Sequence, residues 1–293
     1  MADREYVLTT DNTTDFPESF LEECGIEFIS LSYVIDGVIY DGVKRKLGNK
    51  EFYDRIRGGA MPVTQQANPE SSKAFFERFL KEGKDILHIA FSSGLSGTYQ
   101  SAHLAQMELA EEYPDRKIIV IDSLCASMGE GLLVYEAWRR KNEGMDLETL
   151  AKWVEDHKLL LFHDVVADDL FHLQRGGRVS KTAAIMGTAL GIKPMIYVND
   201  EGKLIPYGKV RGKKAAFNAM VERLAKTIDT SVSNEVFISH SDCLEEAQAL
   251  EEMIRQKAGI HNFKISYIGS VIGTHTGVGT VALFYFASGR TPK

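Results

Sequence analysis

DILHIAFSSGLSGTYQSAHLAQMELAEEYPDRKIIVID, residues 85–122, decides the fold. Asp85–Phe91 is a short apolar run of strand length. Ser92–Gly97 is a hydroxyl- and glycine-rich loop. Beyond it Tyr99, Ala102, Gln106 and Leu109 recur at helical spacing, and KIIVID (117–122) is a second short apolar run. A strand, a helix and a strand in this order imply parallel pairing through a crossover helix. Upstream the alternation continues. YVLTT (6–10) reads as a strand, DNTTD as a polar turn, and PESFLEEC as a helix with Pro17 in its first turn. FISLSYVIDGVIYDG (28–42) reads as extended segments with a hairpin turn at Asp36-Gly37. NKEFYDRIRGG and NPESSKAFFERFLKEG read as short helices, the second capped by Asn68 or Ser71 and ended by Gly83. Downstream, LLVYEAWRRKNEG and LETLAKWVEDHK read as helices. The expectation is an α/β protein whose first half is a parallel sheet with helices on both faces.

The second half changes character. LLLFHDVVA (159–167), KPMIYVNDEGKLIPYGKV (193–210), EVFISHSD, KISYIGSVIG and TVALFYFA (280–287) read as strands or strand followed by turn, with a hairpin at Asp200-Glu201-Gly202. KKAAFNAMVERLAKTI is amphipathic. A mixed sheet with helices is expected here, and the chain is divided into two α/β domains, 1–160 and 161–293.

Composition narrows the function classes. The 293 residues are 44% hydrophobic and 26% charged, with a formal charge of −7. That balance argues against a nucleic-acid surface, which needs surplus Lys and Arg on one face. MADREYVLTT is charged and runs straight into a strand-like segment, with no n-region followed by an apolar h-region, and no apolar run reaches the roughly 20 residues of a membrane span. Neither a secreted nor a membrane-inserted protein is expected. Cys24, Cys125 and Cys243 are odd in number and far apart, which fits a reducing cytoplasm.

Ligands of open α/β sheets sit beyond the carboxyl ends of the strands. Three loops there are rich in hydroxyls or glycine: Thr9–Asp15, Ser92–Thr98 and Asp122–Ser127. Such loops at helix starts suit a carboxylate or phosphate, and they equally serve helix capping. Gly94-Leu95-Ser96-Gly97 falls one residue short of a nucleophile elbow, and the 187–193 segment lacks a P-loop ending. His240-Ser241-Asp242 has no second pair of metal ligands and reads as a capping turn. Cys125 lies near a helix start with no base identifiable beside it. LQRGGRVS (173–180) sets Arg175 and Arg178 around a glycine pair, a donor arrangement for an anion or an exposed basic turn. VIGTHTGVG (271–279) places His275 in a glycine-rich bend, where a core-filling role fits poorly.

Taken together, TTDNTTD, PVTQQANPE (62–70), FSSGLSGTYQSA (91–102), DSLCASMGEG (122–131), LQRGGRVS, GIKPMIYV (191–198), GKVRGKKAA (208–216), ISHSD (238–242) and IGSVIGTHTGVG (268–279) resemble the DegV family along almost the whole chain. The resemblance implies two α/β domains with a long-chain fatty acid, such as palmitate, stearate or oleate, held between them. It implies no cofactor and no catalytic centre, but presentation of the carboxylate to a fatty acid kinase subunit that makes acyl phosphate. By the same resemblance Thr64 and Ser96 donate hydrogen bonds to the carboxylate, and His275 and Arg175 complete or orient that network. Arg211 matches a docking contact for the kinase. The chain departs from the family in reading Gln65, Ala67 and Asn68 where Ser, Pro and Ser are usual, and Asn12 where Ser is usual. Phe91, Ile185, Met186, Leu190 and Ile192 flank the motif loops and are candidates for an apolar tunnel. The competing reading is a stand-alone hydrolase or acyltransferase using Ser96 or Cys125.

Overall fold

The computed structural model describes residues 5–168, 170–180 and 191–292. The first part of the chain runs β1 (Tyr6–Asp11), α1 (Glu18–Cys24), β2 (Glu27–Ile29), β3 (Ser32–Ile35), β4 (Val38–Tyr40), α2 (Asn49–Arg57) and β5 (Val63–Gln65). It continues through α3 (Pro69–Lys81), β6 (Asp85–Ala90), α4 (Thr98–Glu112), β7 (Ile118–Asp122), α5 (Met128–Asn142) and α6 (Leu147–His157). The second part runs β8 (Leu161–Val166), α7 (Phe171–Arg175), β9 (Ile192–Val198), β10 (Leu204–Arg211) and α8 (Lys213–Thr227). It closes with β11 (Glu235–His240), α9 (Leu244–Ala258), β12 (Asn262–Tyr267), α10 (Ser270–Thr276) and β13 (Val281–Phe286).

The 85–122 unit forms as read. β6 and β7 pair in parallel, and the sheet β2-β1-β6-β7 is parallel throughout. Alternation along β6 splits its side chains between two cores. Ile86 packs with Phe76, Ala102 and Leu109 of α3 and α4. Leu87 and Ile89 face Leu132 and Leu133 of α5 and Leu150 and Val154 of α6. Helix α3 begins where Asn68 and Ser71 close a capping box, satisfying orphan N–H groups at both positions.

From Leu161 the chain enters a six-stranded sheet, β10-β9-β8-β13-β11-β12, antiparallel except for the β11–β12 pair. Phe284 and Phe286 of β13 point into the core shared with α5, while Leu283 and Tyr285 face Met220, Leu224 and Leu250 on α8 and α9. Helix α5 is therefore buried between the two sheets, and the core is continuous across them. A third sheet, β4-β3-β5, is antiparallel. Its β3–β4 hairpin turns at Asp36-Gly37, both at positive φ (52° and 75°), as a type I′ turn requires. Strand β5 went unread in the sequence because it is three residues long and two of them are polar.

The structure corrects one local reading. VIGTHTGVG is not a bend throughout. Ser270–Thr276 is helical, and His275 occupies the last turn, with Gly277 ending the helix at φ 69°.

Candidate functional site

A cavity of about 690 Å³ lies where the carboxyl-end loops of the parallel sheet meet the inner face of the six-stranded sheet. Its size is that of a small-molecule pocket. Its apolar lining comes from Phe91 and Leu95 after β6, Ala126 after β7, Val165 of β8, Ile196 and Val198 of β9, and Phe284 of β13. Its polar lining includes Ser32, Thr64 and Gln65 from the small sheet, Ser96 from the loop before α4, His275 from α10, and Arg178. Of the tunnel candidates, Phe91 lines the wall. Ile192 starts β9, the strand that supplies Ile196 and Val198. Ile185, Met186 and Leu190 lie outside the described residues.

Thr64 Oγ1 and His275 Nε2 lie 3.0 Å apart. Burial, reinforced by the charges of Arg178, Arg175 and His172, lowers the His275 pKa to about 4, so the ring is neutral at neutral pH. Its Nδ1 is buried without a hydrogen-bond partner among the described residues. A buried lone pair is a cheaper orphan than a buried N–H. We therefore assign the proton to Nε2, donated to Thr64 Oγ1, which frees the threonine hydrogen to point into the cavity.

Three glycines let the segments around the ring pack closely. A Cβ on Gly176 would sit 2.3 Å from His275 Nδ1, one on Gly277 2.5 Å from His172 Cδ2, and one on Gly279 2.3 Å from Asp168 Oδ2. Residues 168, 172 and 176, spaced as on one face of a helix, thus interleave with the 275–279 segment. This accounts for Gly277 and Gly279 after His275, while Gly273 before it gives room to Tyr53, whose hydroxyl a Cβ there would meet at 2.5 Å.

The two arginines of LQRGGRVS part company. Arg178 lines the cavity, with Nε donating to the Leu95 carbonyl at 3.0 Å and Nη1 to the Gly176 carbonyl. Burial alone lowers its pKa. Arg175 is exposed, and its Nη2 donates to the Pro62 carbonyl at 3.0 Å, two residues before Thr64. The sequence displayed both guanidiniums but assigned only Arg175 to the carboxylate network; in the structure it is Arg178 that lines the cavity. Which guanidinium turns inward is set by the turn after α7, not by composition. Ser96 Oγ lies 2.9 Å from Thr98 Oγ1 and accepts from Thr98 N, the first N–H of α4, as well as lining the cavity. Gln66 Oε1 accepts from Gly97 N at 3.0 Å, pinning the β5–α3 connection to the same helix start. Arg211 ends the edge strand β10, exposed.

Two of the three candidate loops reach the cavity, and Thr9–Asp15 does not. It is a buried brace. Asp11 Oδ2 accepts from Phe91 N at 2.8 Å, and Asp15 accepts from Ser127 Oγ at 2.5 Å and Gly269 N at 2.9 Å. Burial raises the pKa of Asp15 to about 7 and that of Glu130, bonded to Thr13, well above the usual range. Asn12, long enough where serine would not be, bonds Ser30 Oγ and both polar groups of Leu31 on the cavity rim.

Chemistry by Cys125 is disfavoured, since it is fully buried and burial pushes its thiol up to about 11. Among the described residues no three metal-ligating side chains converge, and no helix is long and apolar enough to cross a membrane.

The fold has close counterparts. The family model described as "Uncharacterised protein, DegV family" matches residues 6–288. A DegV domain-containing protein of Clostridium perfringens is 42% identical over 290 residues, 99% of this chain and 100% of the relative. A DegV family protein from Thermus thermophilus, solved in a study of its fatty acid binding, is 29% identical with a TM-score of 0.84, over 97% of this chain and 99% of that one. DegV from Bacillus subtilis, named a fatty acid binding protein, is 28% identical with a TM-score of 0.82, over 97% and 100%. With a match along nearly its full length, the chain belongs to the DegV family.

Proposed function

We propose that the protein binds one long-chain fatty acid in the 690 Å³ cavity, carboxylate at the polar end and acyl chain along the apolar wall. The observation that carries this reading is the mixed lining of the cavity, which combines the hydrogen-bonded Thr64–His275 pair with aliphatic and aromatic side chains. Thr64 and Ser96 donate hydroxyl hydrogen bonds to the carboxylate. Neutral His275 orients Thr64, Arg178 supplies positive charge, and Arg175 steadies the strand before Thr64 through Pro62. Burying the acyl chain gains about 0.8 kcal/mol per CH₂, so a chain of about sixteen carbons contributes on the order of 10 kcal/mol before entropy costs.

The same reading makes the protein a carrier that works in the cytoplasm. It is divided near residue 160 into two α/β domains, with the ligand between them. Its partner is a separate kinase subunit docking at Arg211. There the bound carboxylate oxygen attacks the γ-phosphorus of ATP, giving acyl phosphate and ADP.

Native mass spectrometry of protein purified from bacteria tests the first step. The expected result is a bound mass equal to a long-chain fatty acid. An empty protein that also fails to bind added palmitate or oleate would overturn the reading.

A further inference from the structure

Arg290 is 2% exposed, yet its charge is met by no carboxylate among the described residues. A guanidinium carries five N–H donors, and here all five are used. Nε donates to the Leu161 carbonyl at 3.1 Å. Nη1 donates to the carbonyls of Leu124 at 2.7 Å and Asn199 at 3.1 Å. Nη2 donates to the Lys158 carbonyl at 2.5 Å and Cys125 Sγ at 3.0 Å. The acceptors come from three separate segments: the loop after β7, the entry to β8 and the β9–β10 hairpin.

A second chain of hydrogen bonds leads from there to the cavity. His163 Nδ1 lies 3.2 Å from the Leu161 carbonyl that Arg290 also binds, and His163 Nε2 accepts from Ala126 N at 3.1 Å. An Nε2 that accepts requires a neutral ring with its proton on Nδ1. Burial first and the Arg290 charge second hold the His163 pKa well down. His163 and Ala126 both line the cavity. A Cβ on Gly129 would sit 2.3 Å from His163 Nε2, so the start of α5 is fitted to this ring.

The loop so held is strained. Leu124 has φ 53°, and Ser127 has φ 55° with ψ −147°, conformations that L side chains rarely adopt.

We infer that Arg290 is a positioning residue, a latch that fixes the strained Leu124–Ser127 loop and His163 against the six-stranded sheet and so sets the apolar wall of the cavity. Lysine cannot replace it, since an ammonium has three donors in no fixed plane. The effect on ligand rests on the fatty-acid reading; the latch itself does not.

Cys125 reports on the loop directly. The parent, Arg290→Lys and Arg290→Met proteins, stripped of lipid, are exposed to iodoacetamide at several sub-denaturing urea concentrations, and alkylation of the Cys125 peptide is followed by mass spectrometry. In the parent, Cys125 should react only by global unfolding, with a steep dependence on urea. In both variants it should react about tenfold faster or more by a route nearly independent of urea, since loss of one hydrogen bond to a charged group suffices for that factor. Should Arg290→Met fail to fold, Arg290→Lys alone carries the comparison. Labelling of a folded variant as slow as the parent's would overturn the latch. So would an acceleration that stays steeply urea-dependent, which would mean a loosened fold and not a released loop. Palmitate affinity should fall in the same variants; a parent that binds no palmitate would sink the ligand reading and leave the labelling result standing.

Discussion

Thr64 and His275 are 211 positions apart, and the site depends on their meeting. Removing the hydroxyl tests the assignment at its simplest. Thr64→Val should weaken palmitate binding by roughly 1.5–3 kcal/mol, the worth of a hydrogen bond to a charged acceptor, with little change in melting temperature. Calorimetric titration against the parent reads it, and equal affinities would mean that the carboxylate sits elsewhere. The buried acids give a pH test. The pKa of Asp15 is raised to about 7, so the folded state binds more protons than the unfolded chain between about pH 4 and 7. The sign follows: this contribution to stability is fully present below about pH 4 and is lost as pH rises through 7, by at most about 1.4 kcal/mol per pH unit. His275, with its pKa lowered to about 4, acts in the opposite sense, weakening the fold as pH falls from 6.5 toward 4. Asp15→Asn removes the first effect only. Urea midpoints of the variant should therefore rise relative to the parent from pH 4 to 7. A constant difference across that range would show that Asp15 does not titrate as described.

At the scale of elements, the site is a product of close packing between α7 and α10. Gly176 has φ −73° and ψ −8°, which any residue adopts, so Gly176→Ala strains no backbone. Its effect is steric, since the new methyl would meet His275 Nδ1 at 2.3 Å unless the ring moved. Gly176→Ala should therefore weaken palmitate binding about as much as His275→Ala does, and the double variant should add little to either, as coupled neighbours do. Full additivity in that cycle would place the two residues in independent roles. The elements themselves were legible in the sequence where patterns were long or punctuated: β6 by its apolar run, α3 by its Asn68/Ser71 cap, the β3–β4 hairpin by Asp36-Gly37. They were not legible where local signal was short. Strand β5 owes its pairing to β3, and α10 is seven residues long, with Gly273 inside it and Gly277 ending it, so tertiary packing overrides its weak propensity.

At the scale of the molecule, α5 lies between two sheets, and loops from the parallel sheet close over the face of the mixed one. If the protein hands its ligand to a kinase, the handover must use surface, and Arg211 is exposed on the edge strand β10. Arg211→Ala should leave palmitate binding unchanged but lower acyl phosphate formation, trapped as the hydroxamate, when a cognate kinase and ATP are supplied. The deficit should change with salt, as a charged rim contact does. Activity equal to the parent's at every salt concentration would remove the docking role.

The sequence by itself determined the α/β class, the parallel order around 85–122, the change of character after residue 160 and the family, because each rests on local periodicity or on motifs in fixed order. It also displayed Thr64, Ser96 and His275 as site candidates. Only the tertiary structure decided that Arg178 and not Arg175 faces the cavity, that Thr9–Asp15 braces the site without lining it, and that Arg290 latches a loop 165 positions away. The reason is physical. Periodicity and capping act over a few residues along the chain, whereas burial, the direction of a guanidinium and the room left by a missing Cβ are set by which distant segments pack together.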